Sequence, residues 1–238
     1  MSSLEIVLVI LSGFAGAVVQ GSTGVGLTLM AGPLLVAIDS DFVPGPLLVG
    51  GLVVGVGILI DEHALVDRHD LRVALTGLPV GLLAGLGFLA LLSQSALAVI
   101  LGGAVVLSGG AGLLGLRPRA GRASTWAGGV LSAFGAVSVA LPGPPFVICY
   151  QPRDPQAFRP TIAAFVTLTV TFAGIALLAA GEFGRDEAVL LGWLLPGLLV
   201  GTALSARFRP ILDRGFVRPA VLTLSVISGA LLVISEVL

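Results

Sequence analysis

The chain has 238 residues, of which 56% are hydrophobic and 11% charged, and its formal net charge is -1. A soluble globular domain carries about 25% charged residues, so this composition excludes one, and a balance near neutrality excludes the clustered positive face that a nucleic-acid partner needs. Apolar stretches of about 20 residues recur along the whole length, as helices crossing a hydrocarbon core of about 30 Å require, so the fold class is all-α, a polytopic helical membrane protein forming a single transmembrane domain over 1–238.

The first apolar run, MSSLEIVLVILSGFAGA, ends on Ala15-Gly16-Ala17, a pattern a signal peptidase accepts. It carries Glu5 and no basic residue, so it is expected to stay as a membrane helix. At QGSTGVG, Gln20 to Gly26, seven small or polar residues interrupt the apolar pattern before LTLMAGPLLVAI resumes it. Crossings are expected over 44–62, 71–92 and 96–115, and a second interrupted segment covers 124–150. Glycines four residues apart, at Gly51 and Gly55, at Gly77, Gly81 and Gly85, and at Gly197 and Gly201, point to close helix packing. They imitate a dinucleotide fingerprint only superficially, because no strands alternate with helices around them. The lone Cys149 allows neither an internal disulfide nor a cysteine-based metal cluster and reads as a packing residue.

The two halves match in order: MAGPLL with LPGPPF, LPVGLLAG with LLPGLLVG, and LSGGAGLL with ISGALLVI. This is the pattern of an internal duplication, with a first repeat over 4–115 and a second over 124–236, and such symmetry is common among secondary transporters. Orientation follows from arginine, which accumulates in short cytoplasmic loops. RPRAGR (Arg117, Arg119, Arg122) and RFRPILDRGFVR (Arg207, Arg209, Arg214, Arg218) belong inside, as do the loops holding Arg68 and Arg72 and holding Arg153 and Arg159. IDSDF, without a basic residue, leaves Asp39 and Asp41 outside. The loop EFGRDE must then lie outside although its counterpart lies inside, so the repeats are expected to be inverted. With three crossings per half, 4–38 must start and finish on one side, as a hairpin entering over 4–19 and returning over 27–38, and 124–150 does the same from the opposite face.

GAVVQGSTGVGLTLMAGPLL resembles the N-terminal signature of the sulfite exporter TauE/SafE family, and ALPGPPFVICY followed by AFRPTIAAF resembles that family's Gly-Pro-Pro motif and the Phe-Arg after it. The resemblance covers nearly the whole chain. It departs at Pro142, where the family has glycine, and in AFGAVSVAL, which has few glycines. It implies a plasma-membrane transporter of a small anion such as sulfite, a sulfonate, or another organosulfur or organic acid, usually exported.

An ionisable group at the bilayer centre costs roughly 2.5–3.5 kcal/mol even on insertion scales, and none falls centrally in any segment above. Neutral donors must then face the anion. The first N–H groups of a broken helix lack partners and carry partial positive charge, and proline is well suited to a first helical position. The candidate substrate-binding residues are therefore Gln20, Gly21, Ser22, Thr23 and Gly24 in the first hairpin, and Ser132, Ser138, Gly143, Pro144 and Pro145 in the second. Gly32-Pro33 is a weaker counterpart that equally suits a helix kink. The polar residues equally suit satisfaction of freed backbone groups. Arg159 is a candidate entrance residue that attracts anions, or a topology anchor; Tyr150 and Trp193 suit interface or packing positions, and His63 and His69 a solvated loop.

No GxxxxGK[ST] loop exists, the chain lacking lysine, and no cofactor or metal site is expected. A secondary transporter in the lipid bilayer with a small anionic substrate is the leading reading. A lipid-phosphate flippase or an anion channel is the alternative, and a membrane-embedded hydrolase is disfavoured because both histidines share one loop, away from Ser22 and Ser138. Ion coupling and assembly into a homo-oligomer stay open.

Overall fold

A computed structural model of the chain describes residues 1–91, 93–115, 120–212, 223, 226–227 and 229–234. Arg117, Arg119, Arg214 and Arg218 lie outside these. Among the described residues there is no strand, and the main helices are α1 (Ser3–Thr23), α2 (Leu27–Ile38), α3 (Gly45–Glu62), α4 (Arg68–Leu89), α5 (Gln94–Leu113), α6 (Arg122–Val139), α7 (Gly143–Cys149), α8 (Phe158–Ala180) and α9 (Arg185–Leu212). Five of them, α1, α3, α4, α8 and α9, are long and apolar enough to cross a membrane. Large apolar side chains such as Ile60, Leu83 and Leu107 are more than 70% exposed, an arrangement that costs nothing against lipid.

Local chemistry sets the helix ends. Ser2 and Glu5 form a capping box, with the Ser2 amide donating to Glu5 Oε2 at 2.7 Å and the Glu5 amide to Ser2 Oγ at 3.3 Å. Asp67 caps α4 by accepting from the His69 and Asp70 amides. The α1 helix does not stop at Gln20, as the interruption in the sequence suggests, but continues through Thr23. Small residues permit a helix when its hydrogen bonds are made, and here they are. The break itself is three residues, closed by Gly24 at φ 90° and Gly26 at φ 135°, left-handed values that glycine adopts without a Cβ penalty. Pro33 sits inside α2, well past its start, whereas Pro144 and Pro145 open α7.

Two helix pairs have matching contacts. At α1–α9, a Cβ on Gly197 would meet the Ile10 carbonyl and Phe14 N, and one on Gly201 would meet Phe14 O at 2.6 Å and Ala17 Cβ at 2.8 Å. At α4–α6, a Cβ on Gly81 would meet the Val130 carbonyl and Phe134 N, and one on Gly85 would meet Phe134 O at 2.9 Å and Val137 Cβ at 3.2 Å. Both pairs run parallel, since contacts advance together along both helices. Backbones this close exclude any side chain, which is how small residues drive association where the hydrophobic effect is missing. Between the pairs, α3 crosses α8 with Gly55 near Ala163 O.

Charge separates to the two ends of α4. Its final turn, at Leu89, borders a vestibule of about 280 Å³ that also gathers Asp41, Glu182 and Glu187. Its first turn, at His69 and Arg72, borders a cleft that also contains Arg122. A 22-residue helix spans about 33 Å at 1.5 Å per residue, the thickness of a hydrocarbon core. The loop EFGRDE and the loop IDSDF therefore share one end, as the arginine distribution requires.

Candidate functional site

The two breaks touch. Thr28 Oγ1, in the first turn of α2, donates to the carbonyl of Ala140 at the end of α6, and a Cβ on Gly143 would lie 2.9 Å from Val25 Cβ. Ala140 itself holds φ 51°, a left-handed conformation that costs a non-glycine residue roughly 1–2 kcal/mol. Around this junction lies a small cavity of about 20 Å³, room for a single water. Its walls include Gln20, Gly26, Thr28 and Gly51 from the first half and Ala140, Pro142, Gly143 and Pro144 from the second, with Val166 and Val170 of α8 opposite. None of the residues around it is charged. Gly51, seventh residue of α3, and Val166 and Val170, central in α8, set its depth well inside both crossings.

Gln20 organises the first side. It is buried, and its Oε1 accepts from the Leu27 amide at 3.2 Å while its Nε2 donates to Gly51 O at 3.2 Å. The side chain thus caps α2, which has no capping residue of its own, and ties α1 to α3. An amide nitrogen carries two donors, so one N–H remains beyond the bond to Gly51. With the α2 amides behind Gly26 it forms a neutral, donor-bearing wall, while the single hydroxyl proton of Thr28 is held by the Ala140 carbonyl.

The second side is poorer in donors than its sequence suggests. Pro142, Pro144 and Pro145 have no N–H, so the first turn of α7 is largely stripped of the orphan amides that a helix start otherwise presents. Gly143 and Pro144 form wall, while Pro145 is not among the residues around the cavity.

The remaining sequence candidates lie elsewhere. Ser22 Oγ donates to Val18 O at 2.7 Å and to Ser205 O at 3.2 Å, which locks α1 to α9, and a Cβ on Gly21 would strike Ser205. Thr23 Oγ1 bonds Val19 O at 3.0 Å and Val25 O at 2.5 Å, shaping the turn closed by Gly24. Ser138 Oγ bonds back to Phe134 O at 2.7 Å. Ser132 is fully buried, with no hydrogen-bond partner among the described residues. None of these borders the cavity. Arg159 ion-pairs with Glu62 and donates through Nη2 to Gly21 O at 2.5 Å, so its charge closes one side of the first break rather than standing open to solvent. Thr28 and Gly51 escape sequence reasoning because one looks like an ordinary polar residue in a helix and the other like a packing glycine. The only available signal was the position of Thr28 immediately behind the break.

Parallel glycine-packed helix pairs, two broken helices joined at their tips and a small uncharged cavity between them define a polytopic helical membrane protein. The family model described as sulfite exporter TauE/SafE matches residues 9–232, and the chain belongs to that family. It is therefore a multi-pass membrane transporter of the plasma membrane, in a family of transporters of sulfite and related anions rather than of enzymes. No curated protein and no solved structure matches the chain.

Proposed function

We propose that the protein exports a small anion, sulfite, a sulfonate or another organosulfur or organic acid, by alternating access around the cavity between the two breaks. The observation that carries this reading is the tip-to-tip junction of Thr28 and Ala140 around a space bordered by neutral donors. Donors of this kind stabilise an anion without the cost of a buried charge. The cavity admits only one water, so a sulfite-sized solute requires the tips to separate.

The matched contacts of α1–α9 and α4–α6 support a pair of inverted repeats, 4–115 and 124–236, that rock against each other. The charge distribution supports export: anions accumulate near the arginines at the cytoplasmic end, and the carboxylates of the outer vestibule disfavour their return. Within the site, Gln20, the α2 amides and, once the tips part, Thr28 meet the anion, Gly143 and Pro144 supply a rigid wall, and Gly24 and Gly26 form the hinge.

The test is flux of sulfite, taurine-like sulfonates and carboxylic acids from proteoliposomes, with and without a proton gradient. Saturable flux of at least one, lost in Gln20→Ala with a monodisperse protein, is expected. Unchanged flux in Gln20→Ala and in Thr28→Val would remove the site, and no flux of any anion would remove the function.

A further inference from the structure

We propose that the cytoplasmic cleft between the starts of α4 and α6 is a headgroup site for an anionic phospholipid. The cleft encloses about 470 Å³ and brings together His69 and Arg72 from α4 with Arg122 and Trp126 from α6, over Val73 and Thr76. The two guanidiniums come from segments 50 residues apart in the chain, Arg72 and Arg122, and neither has a carboxylate partner among the described residues. Of the nearby acids, Asp67 is turned toward the α4 amides that it caps, Asp70 lies on the opposite side of α4 from Arg72 at about 100° per residue, and neither makes an ion pair with them.

Three features favour a lipid over a free anion. The side chains are exposed, and two exposed cations hold a free anion only weakly at physiological ionic strength, where charge is screened within about 8 Å. Below Arg72 the same face of α4 continues through Thr76 to Val80, 50% exposed, and Leu83, 72% exposed, an apolar wall for acyl chains directly beneath the charge. Trp126, 42% exposed, places an amphipathic ring where such rings mark the headgroup level. Basic pockets between membrane helices on the cytoplasmic side suit anionic headgroups for these reasons.

The matching helix pair has no such cleft chemistry. The start of α1 carries Glu5, and the start of α9 sets Asp186 and Glu187 beside Arg185. Helix pairing alone therefore does not produce the basic site, which is specific to one end and one pair.

The experiment uses the purified full chain in detergent, with dissociation constants for phosphatidylglycerol and phosphatidylcholine from native mass spectrometry. Preferential binding of phosphatidylglycerol is expected. The R72Q/R122Q variant is expected to weaken it about 30-fold, from about 1 kcal/mol per arginine near an anionic surface converted at 1.4 kcal/mol per decade. R72K/R122K is expected to weaken it less, and the charge-matched control R153Q/R185Q to leave it unchanged. Equal affinity for both lipids, an unchanged constant in monodisperse R72Q/R122Q, or an equal loss in the control would overturn the site. Displacement of the lipid by inorganic phosphate at equal concentration would overturn the lipid assignment in favour of a free anion. None of these readouts depends on transport, so the site stands or falls apart from the proposed function.

Discussion

The first break, between α1 and α2, and the second, between α6 and α7, are built from different chemistry. The first is polar and glycine-jointed: Gly24 and Gly26 turn the chain, and Gln20 replaces the missing cap of α2 with a side-chain amide. The second is apolar and proline-fixed: Ala140 turns the chain at a cost, and three prolines start α7 with few free N–H groups. One side offers donors and hinges, the other offers a wall. The two breaks therefore differ in the hydrogen-bond donors they offer, because proline removes the backbone N–H groups that a helix start otherwise presents.

The scaffold around the breaks should behave symmetrically, and the largest expected effect tests that. Gly81→Leu and Gly197→Leu each force a side chain into a facing backbone, beyond the 1–3 kcal/mol usual for overpacking, so both should lose monodisperse protein in size-exclusion chromatography. Gly192→Leu, with open space at its Cβ, should not. Loss in only one of the first two would show that the pairs are not equivalent.

At the breaks the halves should diverge. Gln20→Ala leaves the Leu27 amide at the start of α2 unsatisfied, at about 1–3 kcal/mol, and is expected to lower anion flux tenfold or more; Pro144→Ala is expected to retain most of it. A reversed order would assign the donor role to the second break. Smaller still, Ala140→Gly removes the left-handed penalty and should raise stability by about 1 kcal/mol, seen as a higher Tm in detergent. Thr28→Val deletes the tip-to-tip bond at a cost near 0.6 kcal/mol, the average for such bonds in membranes, while Thr28→Ser should keep the wild-type Tm.

Much of the fold is legible in the sequence. Hydropathy runs set the crossings, with α3 and α4 within a few residues of their expected bounds, because satisfying backbone groups in lipid leaves helices as the option for such segments. Arginine placement separates the ends correctly for the Asp41, Glu182 and Glu187 vestibule. The site is less legible. Gln20 stands out because a polar amide in an apolar run needs partners, but Ser22, Thr23 and Ser138 look alike in sequence and turn out to spend their hydroxyls on backbone carbonyls.

What the sequence by itself determined is membrane residence, helical character, the approximate positions of two interruptions and the grouping of Asp41 with the Glu182 loop at one end, all consequences of composition and local pattern acting against a bilayer. The tertiary structure alone decided which interrupted residues face the cavity. Thr28 joins it and Ser22 leaves it because the direction of each side chain depends on where the helix resumes. That point is fixed by Gln20 reaching seven residues forward to Leu27 and across to Gly51, a contact that no local pattern encodes.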